Sequence, residues 1–351
     1  MKRFARAATA VIAAALLTGC AGATAEDPTT SPAAPETTAA ESPTEAPPAE
    51  PDTITIASLK GPTTMGLVGL MADAEAGDAA HDYDVTMYGS PDEVVPLVVQ
   101  GKVDIALIPA NLAAVIYNRT LTEDGPAVQV AAINTLGVMN ILEAGDKVQS
   151  IEDLRRKTVL ASGKGASPEF VLNYLLRSNG LEPGVDVTVE YRSEHTEIAA
   201  LLAATPGAIA MLPQPFATVV TTQNPAVRTA LSLTEEWEKV AEDSQLVTGV
   251  VVVRTEFAEE YPEAFADFLA DYEASTAFTN DNPAEAAVLI AEAGIVPAAP
   301  IAEAAIPSSY ITFIAGEEMR SAFSGYLQVL FDADPASVGG SMPGDDFYFR
   351  R

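Results

Sequence analysis

Polar and apolar residues alternate along 53–59 (Thr-Ile-Thr-Ile-Ala-Ser-Leu), the period-two pattern of a strand buried on one face. Gly61 and Pro62 break it. Thr63 or Thr64 can then cap a helix carried on by Met65, Leu67, Val68, Leu70 and Met71. A second strand is predicted over 83–89 and a helix over 90–100, the latter opened by Ser90-Pro91-Asp92-Glu93 with capping-box spacing. A third strand over 102–108 ends at Pro109. This β-α-β-α-β order predicts a parallel sheet covered by helices. The pattern then restarts after a long strand or strand pair over 128–142 and a short helical turn over 150–154. Strands are expected at 158–161, 185–191 and 208–212, with helices at 168–178 and 194–204. The β-branched run 247–253 reads as a buried strand that carries the chain back to the first half. Helices are predicted over 262–278, 283–293 and 317–330, and 339–351 has no period and reads as a packed tail.

Two motifs recur at one offset. Lys60-Gly61 returns as Lys164-Gly165, and Ile105-Ala106-Leu107-Ile108-Pro109 as Ile209-Ala210-Met211-Leu212-Pro213, in both cases 104 residues on. Two similarly built α/β halves are therefore expected, each with a glycine loop where a strand hands over to a helix. Ligands of open α/β sheets bind outside the carboxyl ends of the strands. Two halves face to face would make a cleft with matched walls.

The first twenty residues have a basic start (Lys2, Arg3, Arg6), an apolar stretch too short to span a bilayer, and Leu17-Thr18-Gly19-Cys20. These are the features of a signal peptide, and the end is similar to the lipobox in which a cysteine is lipidated. Cys20 is the sole cysteine of the chain, so neither a disulfide nor a multi-cysteine metal site can be built. Residues 21–52 are nearly all Ala, Pro, Thr, Ser and acidic residues, the composition of a disordered tether.

The formal net charge is −30 with 19 Lys and Arg. Such a surface repels phosphate backbones and argues against nucleic-acid binding. Enzyme signatures are also missing: there are two histidines, His81 and His195, no Gly-x-Ser-x-Gly elbow, and no Gly-Lys-Ser/Thr to close a phosphate loop.

The lipobox, the tether, the Lys60-Gly61-Pro62-Thr63 loop, Gly101-Lys102-Val103-Asp104-Ile105-Ala106 and Leu212-Pro213-Gln214-Pro215-Phe216-Ala217 together resemble the solute-binding lipoproteins of ABC importers. Within them the chain is similar to the group of nitrate, sulfonate, taurine and thiamine-precursor receptors. The resemblance covers about residues 53–351. It implies a two-lobed α/β fold of the type 2 periplasmic-binding-protein kind, each lobe a mixed sheet flanked by helices, with two crossover strands as a hinge. Lobe one would comprise 53–140 and 255–351, and lobe two 141–254. It further implies a small-molecule solute, a permease with its ATPase as partners, a monomer anchored by lipid on Cys20 at the extracytoplasmic face of the membrane, no cofactor and no catalysis.

In that group four loops touch the ligand. Mapped here they supply Lys60, Gly61, Thr63, Thr64 and Met65, then Pro109 and Asn111, then Gly165 and Ser167, then Gln214 and Phe216. None contains an arginine, which speaks against an arginine clamp on a carboxylate or sulfonate. Two facing helix starts with Thr63, Thr64 and Ser167 would suit an anion, with Lys60 and Lys164 adding charge or instead pointing to solvent. Phe216 and Tyr88 could stack on a heteroaromatic solute, or pack inward. Asn111 could read the ligand or cap its helix. The expected solute is a small organic anion, sulfonate- or nitrate-like, with a thiamine-pyrimidine-like heteroaromatic as the alternative. An enzyme on the same fold and a structural surface lipoprotein are the remaining alternatives.

Overall fold

The computed structural model describes residues 50–350. The leader, Cys20 and the tether up to residue 49 lie outside the described residues.

Eleven strands form two sheets. The first half supplies β1 (Ile54–Leu59), β2 (Tyr83–Tyr88), β3 (Ile105–Pro109) and β4 (Val128–Leu136). The second supplies β5 (Met139–Glu143), β6 (Thr158–Ala161), β7 (Thr188–Tyr191), β8 (Ile209–Pro213) and β9 (Arg228–Ser232), and β10 (Val247–Arg254) and β11 (Ile311–Ala315) follow. The sheet orders are β11-β4-β10-β3-β1-β2 and β7-β6-β8-β5-β9. In each, three parallel strands are continued by antiparallel ones. The two mixed sheets flanked by helices are the expected α/β architecture.

The helices that position the cleft are α1 (Pro62–Met65), α2 (Val68–Ala76), α3 (Pro91–Val99), α4 (Ala110–Thr120), α5 (Ser167–Ser178), α6 (His195–Ala204) and α7 (Phe216–Gln223). The capping box of α3 forms: Ser90 Oγ accepts the Asp92 N–H at 3.2 Å and Glu93 Oε2 accepts the Ser90 N–H at 3.1 Å. The segment read as one helix from Met65 to Met71 is two, because the chain turns at Gly66, where an added Cβ would stand 3.3 Å from the Tyr272 hydroxyl.

The stretch 128–142, read as a long strand or strand pair, is a pair: it breaks at Gly137 and passes from the first sheet to the second. Side chains cannot follow that path. A Cβ on Gly137 would lie 2.1 Å from Thr234 Oγ1. The return crossing precedes Val247, so the strand Val247–Arg254, placed in lobe two by the expected boundary at 254, pairs between β3 and β4 in the first sheet. Its valines are buried on both faces, which explains their unbroken run.

One face of the first sheet packs against the helix Pro262–Asp281, whose Phe265, Phe268 and Tyr272 are fully buried on Ile54, Ile56, Val251 and Val253. Each such side chain removed from water is worth about 1.5–3 kcal/mol. In the second half Trp237 is fully buried, with its ring 5.0 Å from Tyr174 and 5.5 Å from Tyr326. The expected tail is packed too: Phe347 is buried 5.0 Å from the Tyr117 ring.

The 104-residue repeat survives at β3 and β8, but not in the loops after β1 and β6. Two residues separate β1 from α1, five separate β6 from α5. Lys60 therefore follows its strand directly, whereas Lys164 stands three residues past Ala161. Thr63 is the second residue of its helix and Ser167 the first, so they are not equivalent positions.

Candidate functional site

The carboxyl ends of β1, β2 and β3 and of β6, β7 and β8 all open on one cavity of about 950 Å³. This is the place where open α/β sheets bind ligands. Of the twelve residues the sequence pointed to, Lys60, Thr63, Pro109 and Gly165 line it. Lys164 lines it as well.

The other eight are not among its lining residues, and the reasons are local. Thr64 is fully buried and hydrogen-bonds to Ser58 Oγ at 2.7 Å and to the Leu59 carbonyl at 2.6 Å. Thr63 donates to that same carbonyl at 2.9 Å. Neither caps α1; both hydroxyls satisfy a strand-end carbonyl that would otherwise be unpaired. Gly61 takes the cap position with φ +144° and lies against the Phe216 ring. Met65 is fully buried in an apolar cluster with Ile290 and Ile306. Gln214 accepts from Thr218, Oγ1 at 2.8 Å. Phe216 opens α7 rather than lying in a loop, is 4 % exposed and meets the His195 ring edge-on at 4.8 Å. Tyr88 packs on the edge of the core beside Gly89, which does line the cavity. The two rings offered for stacking thus lie outside the cavity wall.

Asn111 and Ser167 are brought together, but on each other. The Asn111 N–H donates to Ser167 Oγ at 3.2 Å, and Ser167 Oγ donates to Asn111 Oδ1 at 3.1 Å. Asn111 Nδ2 also donates to the Ser337 carbonyl at 2.9 Å. Ser167 does not cap α5, since Ala166 holds that position. The helix starts that meet are those of α4 and α5, not of α1 and α5 as expected, and Asn111 and Ser167 fill the space between them.

Charge at the site comes from residues the loop pattern did not include. Arg119, in the last turn of α4, and Arg192, just past β7, both line the cavity. Arg192 is engaged by Glu190 at 3.1 Å and Glu197 at 3.3 Å. Lys60, Lys164 and Arg119 form no ion pair among the described residues. Lys164 Nζ lies 6.0 Å above the Tyr191 ring. These three, without an ion pair among the described residues, and Arg192 outnumber the Asp92 and Glu197 carboxylates on the cavity, a local positive excess in a chain of net charge −30.

Apart from these cations and the carboxylates of Asp92 and Glu197, which also line the cavity, the polar wall is neutral. His195 Nδ1 is 3.1 Å from Ser162 Oγ. Although part of its surface is solvent-accessible, its dense surroundings hold the imidazole down to about 4, so at neutral pH it contributes hydrogen bonds and no charge. Tyr191 has a buried hydroxyl with no hydrogen-bond partner among the described residues. Burial, then the nearby Glu169 carboxylate, pushes its phenol well above the usual range, which keeps it a donor. One oxygen of that carboxylate, Oε2, accepts from the Gly165 N–H. Tyr191 and Arg192 stand at the carboxyl end of a parallel strand, and that position was the available signal for them.

The match to known proteins agrees with this geometry. A family model described as "ABC transporter, phosphonate, periplasmic substrate-binding protein" matches residues 79–304. The chain belongs to that family. It is the substrate-binding component of an ABC importer. Solved structures share the fold of this binding protein. An ABC transporter protein from Parabacteroides distasonis is 22% identical with a TM-score of 0.68, over 86% of this chain and 100% of the other. The periplasmic aliphatic sulphonate-binding protein of Escherichia coli is 14% identical with a TM-score of 0.65, covering 86% and 93%. The periplasmic nitrate-binding protein of Synechocystis is 13% identical with a TM-score of 0.62, covering 82% and 84%. No curated protein matches the sequence. Among the described residues no helix of the binding protein is long and apolar enough to cross a membrane.

Proposed function

We propose that this binding protein captures an organic anion of the phosphonate or sulfonate kind between its two halves and hands it to a permease driven by an ATPase. The observation that carries the reading is a set of cavity cations with no ion pair among the described residues, Lys60 and Lys164 just past strand ends and Arg119 at the far end of α4. Tyr191, Ser162 and His195 supply neutral partners for oxygens. The family match and the sulphonate- and nitrate-binding neighbours support the same class. The thiamine-pyrimidine alternative has less behind it, because Phe216 and Tyr88 do not line the cavity.

We assign lobe one to 53–136 with 247–351 and lobe two to 139–246, closing on the solute about the two crossings as a hinge. Lipidation at Cys20, with 21–52 as a tether, would hold a monomer at the extracytoplasmic face of the membrane. Replacing Cys20 with serine should then release the protein from the membrane fraction. We assign no catalysis to the chain.

The test of the ligand class is a thermal-shift panel of methylphosphonate, alkanesulfonates, nitrate and the thiamine pyrimidine on the full protein. A solute at a hundred times its dissociation constant adds about 2.7 kcal/mol of stability. Anions should raise the melting point, and Lys60→Ala with Lys164→Ala should abolish the rise. A shift by the cationic heteroaromatic alone would refute the anion reading.

A further inference from the structure

We infer that the anion carries a long apolar body, laid along a wall made by α3 and α4. This rests on the anion reading above and extends it from the headgroup to the rest of the molecule.

The wall is built by helical spacing. From α4, Leu112, Val115, Ile116 and Arg119 line the cavity, the i, i+3, i+4, i+7 positions of a single helix face. From α3 come Val95 and Val99. Ile116 and Val115 are buried and Leu112 is half-buried against the core, so this face is core on one side and cavity wall on the other. Val99 is 52% exposed, one of five large hydrophobic side chains left exposed among the described residues. Of those five, Val99 is the one that lines the cavity. The second half contributes an opposing apolar surface in Met139 and Phe170.

Direction follows from the sheet. β1 and β3 are parallel neighbours, with Ser58 beside Leu107, so Lys60 and Pro109 emerge side by side. The cationic end of the cavity therefore lies at the start of α4. Both Pro109 and Thr120 line the cavity, and at 1.5 Å per residue that is a wall of about 16 Å. At its far end Arg119 and Thr120 make it polar again. Size agrees with length. A volume of about 950 Å³ is near the top of the range for drug-sized ligands and equals the liquid volume of roughly thirty waters. A nitrate or methylphosphonate would occupy a small corner of it.

The experiment is isothermal titration of the full protein with methyl-, butyl- and octylphosphonate and the matching alkanesulfonates. If the tail lies on this wall, each added methylene should tighten binding about three- to fourfold. Leu112→Asn and the solvent-accessible Val99→Ser should each cut the octyl-to-methyl affinity ratio, Leu112→Asn by about tenfold, with melting curves confirming the fold. Octyl compounds that bind no tighter than methyl ones would overturn the inference while leaving the anion reading intact. If no member of either series binds, the anion reading falls and the inference falls with it.

Discussion

Replacing Asn111 with alanine tests how the two halves are held together. Asn111 is fully buried, and its side chain joins three stretches of chain: it receives a hydrogen bond from Ser167 at 3.1 Å, donates to the Ser337 carbonyl at 2.9 Å, and reaches the Gly165 carbonyl at 3.4 Å. The last contact is long and its acceptor is on an exposed residue, so water can replace it at little cost. The first two cannot be replaced so easily. Ser167 is 2% exposed and Ser337 fully buried, so the variant leaves a hydroxyl proton and a carbonyl without partners. At about 0.5–1.5 kcal/mol per lost bond, with a penalty for the stranded groups, the expected loss is about 2–4 kcal/mol. For a folded part of this size that is a fall of roughly 3–6 °C in melting temperature. Ser167→Ala should cost less, because the Asn111 side chain keeps its bond to Ser337, and the double variant should fall short of the sum. Melting by circular dichroism measures the cost. Small-angle scattering of the ligand-free variant should also show a larger radius of gyration, since the contacts to Ser167 and Gly165 tie the first half to the second, whereas the Ser337 bond lies within the first. A melting point within about 2 °C of the parent and unchanged scattering would refute the reasoning.

Other residues give equally direct outcomes. Gly249→Ala would put a Cβ 2.5 Å from Asn134 Oδ1 and 3.0 Å from Thr63 Cγ2 in a buried site, and denaturation should show a loss of about 1–3 kcal/mol. By contrast, Gly89→Ala places its Cβ 2.5 Å from the Glu194 carboxylate, which is exposed and can swing aside, so stability should change by less than about 0.5 kcal/mol. Because His195 is held at about 4 in the fold and returns to about 6.5 when unfolded, its contribution is present above about pH 6.5 and is lost as the pH falls toward 4. Urea midpoints at pH 7 and 4.5 should therefore differ more for the parent than for His195→Asn, by about 2–3 kcal/mol. Arg228→Ala removes the partner of Glu143, whose side chain is 4% exposed and is paired at 2.9 Å; it should cost about 2–4 kcal/mol in a denaturant titration, and Arg228→Lys should restore part of it.

What could be read from the chain was whatever is local. The alternation in β1, the capping box of Ser90 and Glu93, and the valine run of β10 each depend on neighbours in sequence, and each forms as expected. The misplaced residues were settled by which backbone groups the sheet ends left open and by how the helices packed, not by any repeating pattern. Whether Thr63 and Thr64 cap a helix or turn back was decided by the Leu59 carbonyl at the end of the sheet. Pro213 and Pro215 made Phe216 read as loop, although Phe216, Ala217 and Val220 already hold helical spacing and form the buried face of α7. Arg119 and Arg192 sit far apart in sequence at the ends of unlike elements. Only the facing of two sheets makes them part of one cavity, and no pattern along the chain encodes that.

The place of β10 has a consequence for the order in which the protein can assemble. Its neighbour β3 pairs Pro109 with Gly249, so the central strand of the first sheet lacks one edge until the chain has been made well past the entire second sheet. That sheet is complete within residues 139–232 and needs no strand from outside. As the chain is made from its N-terminus, the second half can close first, while the first waits with an open strand edge, a template for wrong pairing. Closing so long a loop makes native pairing of β3 with β10 slow compared with local contacts. The interval between the emergence of residue 109 and that of residue 254 is thus the window in which this chain is most exposed to aggregation.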